Sequence, residues 1–286
     1  MSRGIRNTRR SLKGILLPLF NSAGLNILIA LPLTTTRPAA VCIVSGGLDS
    51  VCYAASLAAD DGYDLYLLTF AYGQRAEREI KSARYFAKAL EAKDHKVADI
   101  SFMRSLYDKS NALTDSRQAL SQGFSHNLVV PVRNAVFLTI AAAWAMSINA
   151  KVVAYGAHTD DSHYYPDCRP TFVTEINKAL NTAESDSIMS GLRHKLIILS
   201  PAVIGLNKSA LLRKGSKILG NKIFQTWSCY CDGIKVGRDY LHCGSCESCI
   251  NRKDAFTSAR IEDKTRYATE GHIRHKSKVK RDIHKH

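Results

Sequence analysis

The chain has 286 residues, an apolar share of 45% and a formal net charge of +15 at neutral pH. This length allows one large domain or two modest ones, each with a substantial core. Residues 1–40 carry six Lys/Arg and no acid, and residues 260–286 carry nine Lys/Arg against four acids, which leaves +4 for residues 41–259. The charge therefore excludes a strongly basic body and indicates a near-neutral enzyme domain with solvated basic tails. Contact of the tails with RNA is the alternative.

Residues 1–38 precede the first recognisable motif. The segment TRRSLKGILLPLF resembles a twin-arginine export signal, but Asn21, Gly24 and Asn26 interrupt the apolar run. No stretch reaches the roughly 20 apolar residues of a membrane-spanning helix, and no clean A-x-A cleavage site follows. We therefore expect no membrane association and interpret residues 1–38 as a basic extension outside the fold, arising from an upstream start. The ATP chemistry argued below favours a cytoplasmic protein.

Residues 39–70 predict a β-loop-α-β unit. The short apolar, β-branched run 39–44 is typical of a buried parallel strand, and SGGLDS then breaks it with two glycines. Val51 and the alanines after it follow at helical spacing, so a helix begins directly after the turn. A second strand is predicted over 65–70.

The SGGLDS turn has the features of a phosphate-binding loop. A helix N-terminus offers free N–H groups and a partial positive charge, and Gly46 and Gly47 let phosphate approach the backbone closely. Ser45 and Ser50 add hydroxyl donors, and the carboxylate of Asp49 suits Mg²⁺ bound with ATP. The alternative is a capped strand-to-helix turn without a ligand.

Other phosphate-loop and nucleophile motifs do not fit this turn. No lysine follows the glycines, as G-x-x-x-x-G-K-[ST] requires, and the turn is not a G-x-S-x-G elbow. It resembles S-G-G-x-D-S, the pyrophosphate loop of the ATP pyrophosphatases, which cleave ATP to AMP and pyrophosphate. We assign the ATP contacts to Val44, Ser45, Gly46, Gly47, Leu48, Asp49, Ser50 and Val51, with Phe70, Tyr72 and Gln74 of the FAYGQR segment shaping the nucleotide pocket.

Three further strands are predicted at 96–100, 151–155 and 196–200, alternating with helical stretches. This alternation predicts an α/β fold with a Rossmann-like, doubly wound parallel sheet. Residues 39–204 are predicted to form the nucleotide-binding domain, 205–259 a small helical, zinc-binding lobe, and 260–286 a basic tail. The polar segment 101–127 is predicted to be a loop-rich cover of the site.

Motifs in the second half of the chain identify a family. Together with SGGLDS and FAYGQR, the segments VRNAVF, YPDCRP and TWSCY…CGSCESC…RKDAF closely resemble those of the 7-cyano-7-deazaguanine synthases, from about residue 41 to 256. The resemblance implies that ATP adenylates the carboxylate of 7-carboxy-7-deazaguanine and that ammonia displaces AMP to give the amide. A second adenylation, of the amide oxygen, then permits dehydration to the nitrile. It also implies a homodimer with no obligatory nucleic-acid partner.

Several polar residues are candidate contacts for this substrate. Asp160, Asp161 and Asp167 share one polar loop after a predicted strand, where ligands of open α/β sheets collect. A carboxylate could accept hydrogen bonds from the guanine-like edge, and we favour Asp167, with Arg169 close to the substrate carboxylate or a phosphate. An ion pair within the loop is the alternative for both. The full set of substrate contacts is Arg133, Asn134, Asp160, Asp161, Tyr164, Asp167 and Arg169, and the catalytic set is Ser45, Asp49, Ser50 and Arg133.

Structural roles compete with chemical ones at several of these positions. Arg133 and Asn134 also fit a strand-to-helix junction capped by Asn134. His158 and His163 are candidate proton carriers, although loop histidines are more often packing or surface residues. We interpret Cys168 as a small buried residue rather than a nucleophile, since adenylation already activates the carboxylate.

Five of the eight cysteines lie between residues 229 and 249. A disulfide framework does not suit the reducing cytosol. A ferredoxin-type run would want a further cysteine just beyond Cys249, where INRKDAF has none, although a distant cysteine can complete such a cluster. Cys229, Cys243, Cys246 and Cys249 offer four thiolates suited to one closed, structural zinc site, and the family resemblance places its zinc ligands at these positions. Cys231 is left out, because SCY rather than YCD matches the family.

Two other functions remain to be weighed. A tRNA-thiolating enzyme with a pyrophosphate loop would adenylate an RNA base and use its basic tails. A nucleotide- and zinc-binding module without catalysis is the second. The near-neutral body and YPDCRP argue against the first, and the intact SGGLDS argues against the second.

Overall fold

The structure is a computed structural model that describes residues 16–20, 26–30, 37–74, 76–107, 113 and 129–269. The chain divides into two units, Met1–Arg37 and Pro38–His286. In the first unit, strands β1 (Leu16–Phe20) and β2 (Asn26–Ala30) pair antiparallel. The second unit carries all the motifs discussed above.

A parallel sheet forms the centre of the second unit. Its strands are β3 (Ala39–Ile43), β4 (Asp64–Ala71), β5 (Asp94–Asp99), β6 (Val152–Ala154) and β7 (Ile197–Leu199), in the spatial order β5-β4-β3-β6-β7. All five predicted strands and the predicted doubly wound parallel sheet are confirmed. The chain leaves β3 toward one edge through β4 and β5, then returns to the other side through β6 and β7. The carboxyl ends of β3 and β6 thus flank the switch point where open α/β sheets bind ligands.

Helices cover both faces of this sheet. They are α1 (Leu48–Ala59), α2 (Arg78–Ala89), α3 (Met103–Tyr107), α4 (Arg133–Ser147), α5 (Asp161–Tyr164), α6 (Pro170–Ala183), α7 (Ser185–Met189), α8 (Lys208–Leu219) and α9 (Glu247–Ala259). Successive strand residues point to opposite faces, so Ala40 and Cys42 join a core with α1, α2, α8 and α9. Val41 joins a second core with α4 and α6. Burial on both faces explains why β3 and β6 are almost wholly apolar.

Part of the predicted cover of the site can be described. Helix α3 and Leu113 fall within the predicted segment 101–127, and the other residues of 108–127 lie outside those described. Tyr107 and Leu113 are buried in the core that contains α4. Among the described helices, none is long and apolar enough to cross a membrane.

The C-terminal part of the second unit packs against α1 and α2. Helix α8 lies so close to α1 that a Cβ on Gly215 would come within 2.3 Å of the Cys52 sulfur. A 3₁₀ turn (Gly220–Gln225) leads to a hairpin of β8 (Ile234–Val236) and β9 (Asp239–Leu241), and then to α9. Packing continues beyond the predicted start of the tail at residue 260. The hydroxyl of Thr265 accepts from Arg252 Nε at 2.9 Å, and the Ala268 N–H donates to the His242 carbonyl at 2.8 Å.

Candidate active site

The SGGLDS loop joins β3 to the N-terminus of α1. Gly46 has a φ of +90°, and a Cβ there would lie 2.2 Å from the Glu79 carbonyl oxygen, so both backbone shape and space require glycine. The Gly47 N–H donates to Ser45 Oγ at 3.1 Å, and the Ser45 N–H donates to Ser50 Oγ at 3.2 Å. The loop therefore holds N–H and hydroxyl donors together at a helix N-terminus, as an anion-binding loop requires.

An ion pair lies beside this loop. Lys208 Nζ, at the start of α8, is 2.7 Å from Asp49 Oδ2 in α1. Burial alone would raise the pKa of Asp49, but Lys208 and His158 hold it below its usual value. Burial would in turn lower the pKa of Lys208, and the carboxylates of Asp49 and Asp161 more than offset this. The pair is ionised at neutral pH and places a cation within reach of the loop.

His158 lies among three carboxylates after β6. Its side chain is 3% exposed, and Nε2 is 3.3 Å from Asp161 Oδ2 and 3.8 Å from Asp49 Oδ1. The Asp161 N–H donates to His158 Nδ1 at 3.3 Å, and Asp160 Oδ2 accepts from the backbone N–H of Lys208 at 3.0 Å. The predicted carboxylates Asp160 and Asp161 are therefore tied to the loop through His158 and Lys208.

The start of α4 forms another wall. Arg133 is the first residue of this helix. Tyr72, Tyr230 and Asp167 interact electrostatically with its guanidinium. The Asn134 N–H donates to Asp167 Oδ2 at 3.2 Å, so the carboxylate favoured as the reader of the base edge binds a helix N-terminus in this structure. Asn134 does not cap the helix with its side chain, because the N-cap residue is Val132.

Aromatic residues line the wall at the end of β4. The Phe70 and Phe137 rings stack with centroids 4.1 Å apart, and Tyr72 lies 5.5 Å from Phe137. The side chain of Gln74 accepts from the Tyr72 N–H at 2.9 Å and donates to the Phe70 carbonyl at 3.1 Å. Gln74 thus fixes the backbone of this wall, and the rings offer a flat apolar surface to a base.

These walls enclose a cavity of about 260 Å³. Most predicted ATP contacts line it, as do three predicted substrate contacts: Arg133, Asn134 and Asp161. Six predicted contacts lie outside the lining, which are Gly46, Val51, Asp160, Tyr164, Asp167 and Arg169. Val51 is fully buried in the core. Arg169 is exposed, and its Nε donates to the Ser162 carbonyl at 3.0 Å within its own loop.

Two charged residues in the lining were missed by the sequence analysis. The packing of α8 on α1 brings Lys208 to the loop. In the sequence, nothing marks Lys208 except its place at the start of a helix that follows a strand. Glu79 lies on α2 and faces the cavity. Burial raises the pKa of Glu79 to about 8, an effect that Arg133 only partly offsets. The missed lining residues also include five aromatic ones: Phe137, Tyr155, Tyr165, Trp227 and Tyr230.

The four predicted metal ligands come together in the C-terminal part. The sulfurs of Cys229, Cys243, Cys246 and Cys249 lie within 4.8 Å of one another, and all four residues are buried. Backbone N–H groups point at the sulfurs, with Cys246 N 3.3 Å from Cys243 Sγ, as thiolate ligands require. Four thiolates in one group fit a tetrahedral, closed zinc site. Cys231 is exposed and is not one of these four, although its sulfur interacts with those of Cys229, Cys243 and Cys246.

The cysteine group is linked to the phosphate loop through residues 226–228. The Trp227 N–H donates to the Gly46 carbonyl at 2.9 Å, and Trp227 Nε1 donates to the Cys229 carbonyl at 3.2 Å. Behind this segment, Arg252 is 1% exposed and donates to Thr226 Oγ1 and Ser228 Oγ at 2.8 and 3.1 Å. The cysteine group therefore positions one wall of the cavity rather than the reacting atoms.

The chain is similar to known proteins over most of its length. The family model for queuosine biosynthesis protein QueC matches residues 39–260. A 7-cyano-7-deazaguanine synthase from Caldicellulosiruptor saccharolyticus is 33% identical over 236 residues, covering 81% of this chain and 96% of that protein. Those from Psychromonas ingrahamii and Stutzerimonas stutzeri are 38% and 35% identical, covering 79% and 80% of this chain and 96% and 97% of their own.

Glu79 should make stability depend on pH. Between about 4.5 and 8 the carboxyl is ionised in the unfolded chain and protonated in the folded one. The folded state then binds more protons, so the free energy of unfolding falls as pH rises through this window. Glu79→Gln should remove that part of the fall, which urea unfolding of both proteins at about pH 5, 7 and 8.5 measures. A difference between the two proteins that stays constant with pH would contradict the assignment.

Removing one thiolate should release the metal and loosen the lobe. Cys246→Ser should lower zinc content from about one ion per chain to near zero and lower the melting temperature, because a structural zinc site contributes to folding. Elemental analysis and thermal unfolding measure the two effects. Cys231→Ser is the matched control, since Cys231 neighbours the group but is not one of the four predicted ligands, and it should keep both values. Equal metal content in the two variants would contradict the proposed set of ligands.

Proposed function

The chain belongs to the queuosine biosynthesis protein QueC family, and from this membership we propose how its cavity makes 7-cyano-7-deazaguanine. The enzyme is an ATP-dependent ligase that forms a C–N bond. Its substrates are 7-carboxy-7-deazaguanine, ammonia and ATP. The observation that carries the proposal is the SGGLDS loop at the α1 N-terminus, which opens into the same cavity as the half-buried Arg133 and the Lys208–Asp49 pair.

The reaction consists of two activations at one carbon atom. A carboxylate oxygen attacks the α-phosphorus of ATP and pyrophosphate leaves, which gives the acyl-adenylate. Ammonia then attacks the carbonyl carbon, and AMP leaves with the bonding electron pair to give the amide. The amide oxygen attacks the α-phosphorus of a second ATP, and pyrophosphate leaves. The nitrogen then loses its two protons as AMP leaves with the electrons of the C–O bond, which gives the nitrile. One loop can serve both steps, because the attacking oxygen is attached to the same carbon each time.

The loop and Lys208 act on the phosphates. The N–H and hydroxyl groups of Ser45, Gly47 and Ser50 bind the phosphate oxygens at the α1 N-terminus. The Lys208 ammonium, paired with Asp49 in this structure, adds positive charge where pyrophosphate departs. Because these donors are already held by the fold, little reorganisation is needed when charge develops in the transition state.

Asp49 is the proposed residue for Mg²⁺ bound with ATP. Its hard carboxylate oxygens suit this ion, and it lines the cavity directly beside the loop. Oδ2 pairs with Lys208, while Oδ1 is 3.8 Å from the nearest histidine nitrogen. The ion, when bound, neutralises phosphate charge. We assign one structural zinc ion per chain to the four cysteines.

Arg133 is the proposed contact for the deazapurine. It is a half-buried cation in the cavity wall, and Asp167 and two tyrosines surround it. A guanidinium suits the substrate carboxylate, because it can donate two parallel hydrogen bonds. Asp167 then acts mainly by holding Arg133 and the α4 N-terminus, while its second oxygen stays a proposed acceptor for the base edge. Phe70 and Phe137 offer their stacked pair to the adenine ring.

Several broader properties also belong to this proposal. We assign nucleotide binding to residues 39–204 together with Lys208, and the metal site to 205–259, with residues 1–38 and the basic tail outside catalysis. The enzyme is cytoplasmic and needs no nucleic acid, because the substrate is a free base and ATP is a cytosolic reactant. The family resemblance supports a homodimer. The basic tails remain available for contacts that the reaction does not require.

A product assay tests the function. The protein should release AMP and pyrophosphate when ATP, ammonium and 7-carboxy-7-deazaguanine are all present, and mass spectrometry should show the nitrile. AMP release that requires tRNA would instead favour a thiolating enzyme, and binding of ATP without turnover would favour a non-catalytic module.

Lys208→Gln should slow adenylation. Loss of one charged donor aimed at developing phosphate charge costs about 100-fold or more in kcat. AMP formation under saturating substrates measures this effect. Lys214→Gln is the matched control, since Lys214 lies on the same helix in an exposed ion pair with Asp60 at 2.9 Å. If both variants lose activity equally, α8 supports the site only through packing.

Arg133→Gln should raise the KM for the deazapurine by roughly 10- to 100-fold, as expected for a lost charged hydrogen bond. The KM for ATP should change less. Asp167→Asn should shift the same constants in the same direction by a smaller factor, because it removes the negative charge beside Arg133. If Arg169→Gln gives the larger effect, the exposed arginine and not the cavity arginine binds the substrate.

A further inference from the structure

Two side chains from distant segments, TWSCY and RKDAF, meet behind the cavity wall and take no part in the steps proposed above. Arg252 of RKDAF is 1% exposed and donates to Ser228 Oγ of TWSCY at 3.1 Å. The same Nη1 donates to Thr226 Oγ1 at 2.8 Å. Trp227 and Ser228 line the cavity, whereas Arg252 lies outside the lining. The guanidinium therefore supports this part of the wall from behind.

Arg252 is a buried cation whose direct partners are all neutral. In the described part of the chain its hydrogen bonds go to three hydroxyls: Thr226, Ser228 and Thr265. Asp263 and Asp49 act on it electrostatically, but neither forms an ion pair with it. Burying a cation without a directly paired anion is costly, so its presence indicates that its charge has a use nearby.

The charge of Arg252 acts beside the phosphate loop. Burial would raise the pKa of Asp49, and Arg252 is one of the cations that hold it down. Asp49 belongs to the SGGLDS segment and lines the cavity. A positive charge that acts on Asp49 also favours an anionic ligand on the same loop.

Ser228 differs from Thr226 in where its hydroxyl proton can go. Arginine only donates, so each hydroxyl oxygen that accepts from it keeps its own proton for another acceptor. Thr226 donates its proton to the Ile223 carbonyl at 2.7 Å. The Ser228 hydroxyl has no acceptor among the residues that the structure describes, and Ser228 is 8% exposed in the cavity wall. This proton is therefore available to a ligand in the cavity.

The backbone places Ser228 next to the phosphate loop. The Trp227 N–H donates to the Gly46 carbonyl at 2.9 Å, and the Trp227 carbonyl oxygen lies 3.6 Å from the position of a Cβ on Gly47. The Ser228 N–H in turn donates to His242 Nε2 at 3.2 Å, which fixes the chain at this point. Accepting from a charged guanidinium polarises the Ser228 hydroxyl and strengthens it as a donor.

We infer that the Ser228 hydroxyl donates a hydrogen bond to a phosphate oxygen of ATP, and that Arg252 is the residue that positions it. Arg252 holds the serine oxygen from behind and adds positive charge to the phosphate site without touching the nucleotide. The inference rests on the proposed function, because it adds a contact to the ATP site of that enzyme.

Calorimetric titration of the full chain with Mg²⁺-bound ATP and with adenosine tests the inference. Ser228→Ala should raise the Kd for ATP roughly ten-fold or more, as expected for one lost hydrogen bond to a charged group. The Kd for adenosine should stay unchanged, because adenosine has no phosphate. Arg252→Lys keeps the charge but loses the planar fork, so it should raise the Kd for ATP about three-fold. In the Ser228→Ala background the same change should have little further effect, because the two residues act as a unit.

Thr265→Val is the matched control. Thr265 accepts from the same guanidinium at 2.9 Å but lies outside the cavity lining, so the variant should keep both Kd values. An unchanged Kd for ATP in Ser228→Ala would overturn the inference. An equal loss of affinity for ATP and adenosine would also overturn it, as would an equal loss in Thr265→Val, since both patterns indicate a displaced wall. A wild type that binds ATP but forms no nitrile would overturn the proposed function alone, because binding still measures the Ser228 contact.

Discussion

The carbonyl oxygen of Gly46 accepts two hydrogen bonds that hold the active site together. Ser82 Oγ on α2 donates at 2.8 Å, and the Trp227 N–H beside the cysteine group donates at 2.9 Å. Gly46 also lies against the α2 backbone, where no side chain fits. The phosphate loop, α2 and the segment that leads into the cysteine group therefore meet at one peptide group. A shift in any of them moves the donors that bind phosphate.

Charge in the cavity includes two cations, and each has a carboxylate near it. Lys208 pairs with Asp49 near the phosphate loop, and Asp167 acts on Arg133 at the α4 N-terminus. Each carboxylate lowers the cost of burying its cation before any substrate arrives. Anionic substrates then meet positive groups that are already in place. On binding, the substrates either replace the carboxylates as partners of these cations or bind beside them.

Features of the fold and site that depend on local sequence patterns could be predicted, and those that depend on tertiary packing could not. The strands, the phosphate loop and the cysteine group follow from local patterns, because buried parallel strands are apolar and ligand spacing lies within short segments. Lys208 and Glu79 were missed because tertiary packing alone brings them to the loop. Asp167 and Arg169 lie in the expected motif, yet one carboxylate oxygen binds a helix end and the guanidinium points into its own loop. Motif membership predicted the neighbourhood of these residues but not where their side chains point.

The link between Gly46 and Trp227 joins segments that are far apart in the order of synthesis. The ribosome releases the phosphate loop early and residue 227 much later, with the four grouped cysteines following it. A nascent chain can fold β3, α1 and β4 while its loop still lacks one of the donors that fix Gly46. The loop therefore reaches the geometry seen here only after residue 227 has been synthesised and has packed against Gly46. A chain cut off before that residue would keep the SGGLDS sequence but lose one of the contacts that shape it.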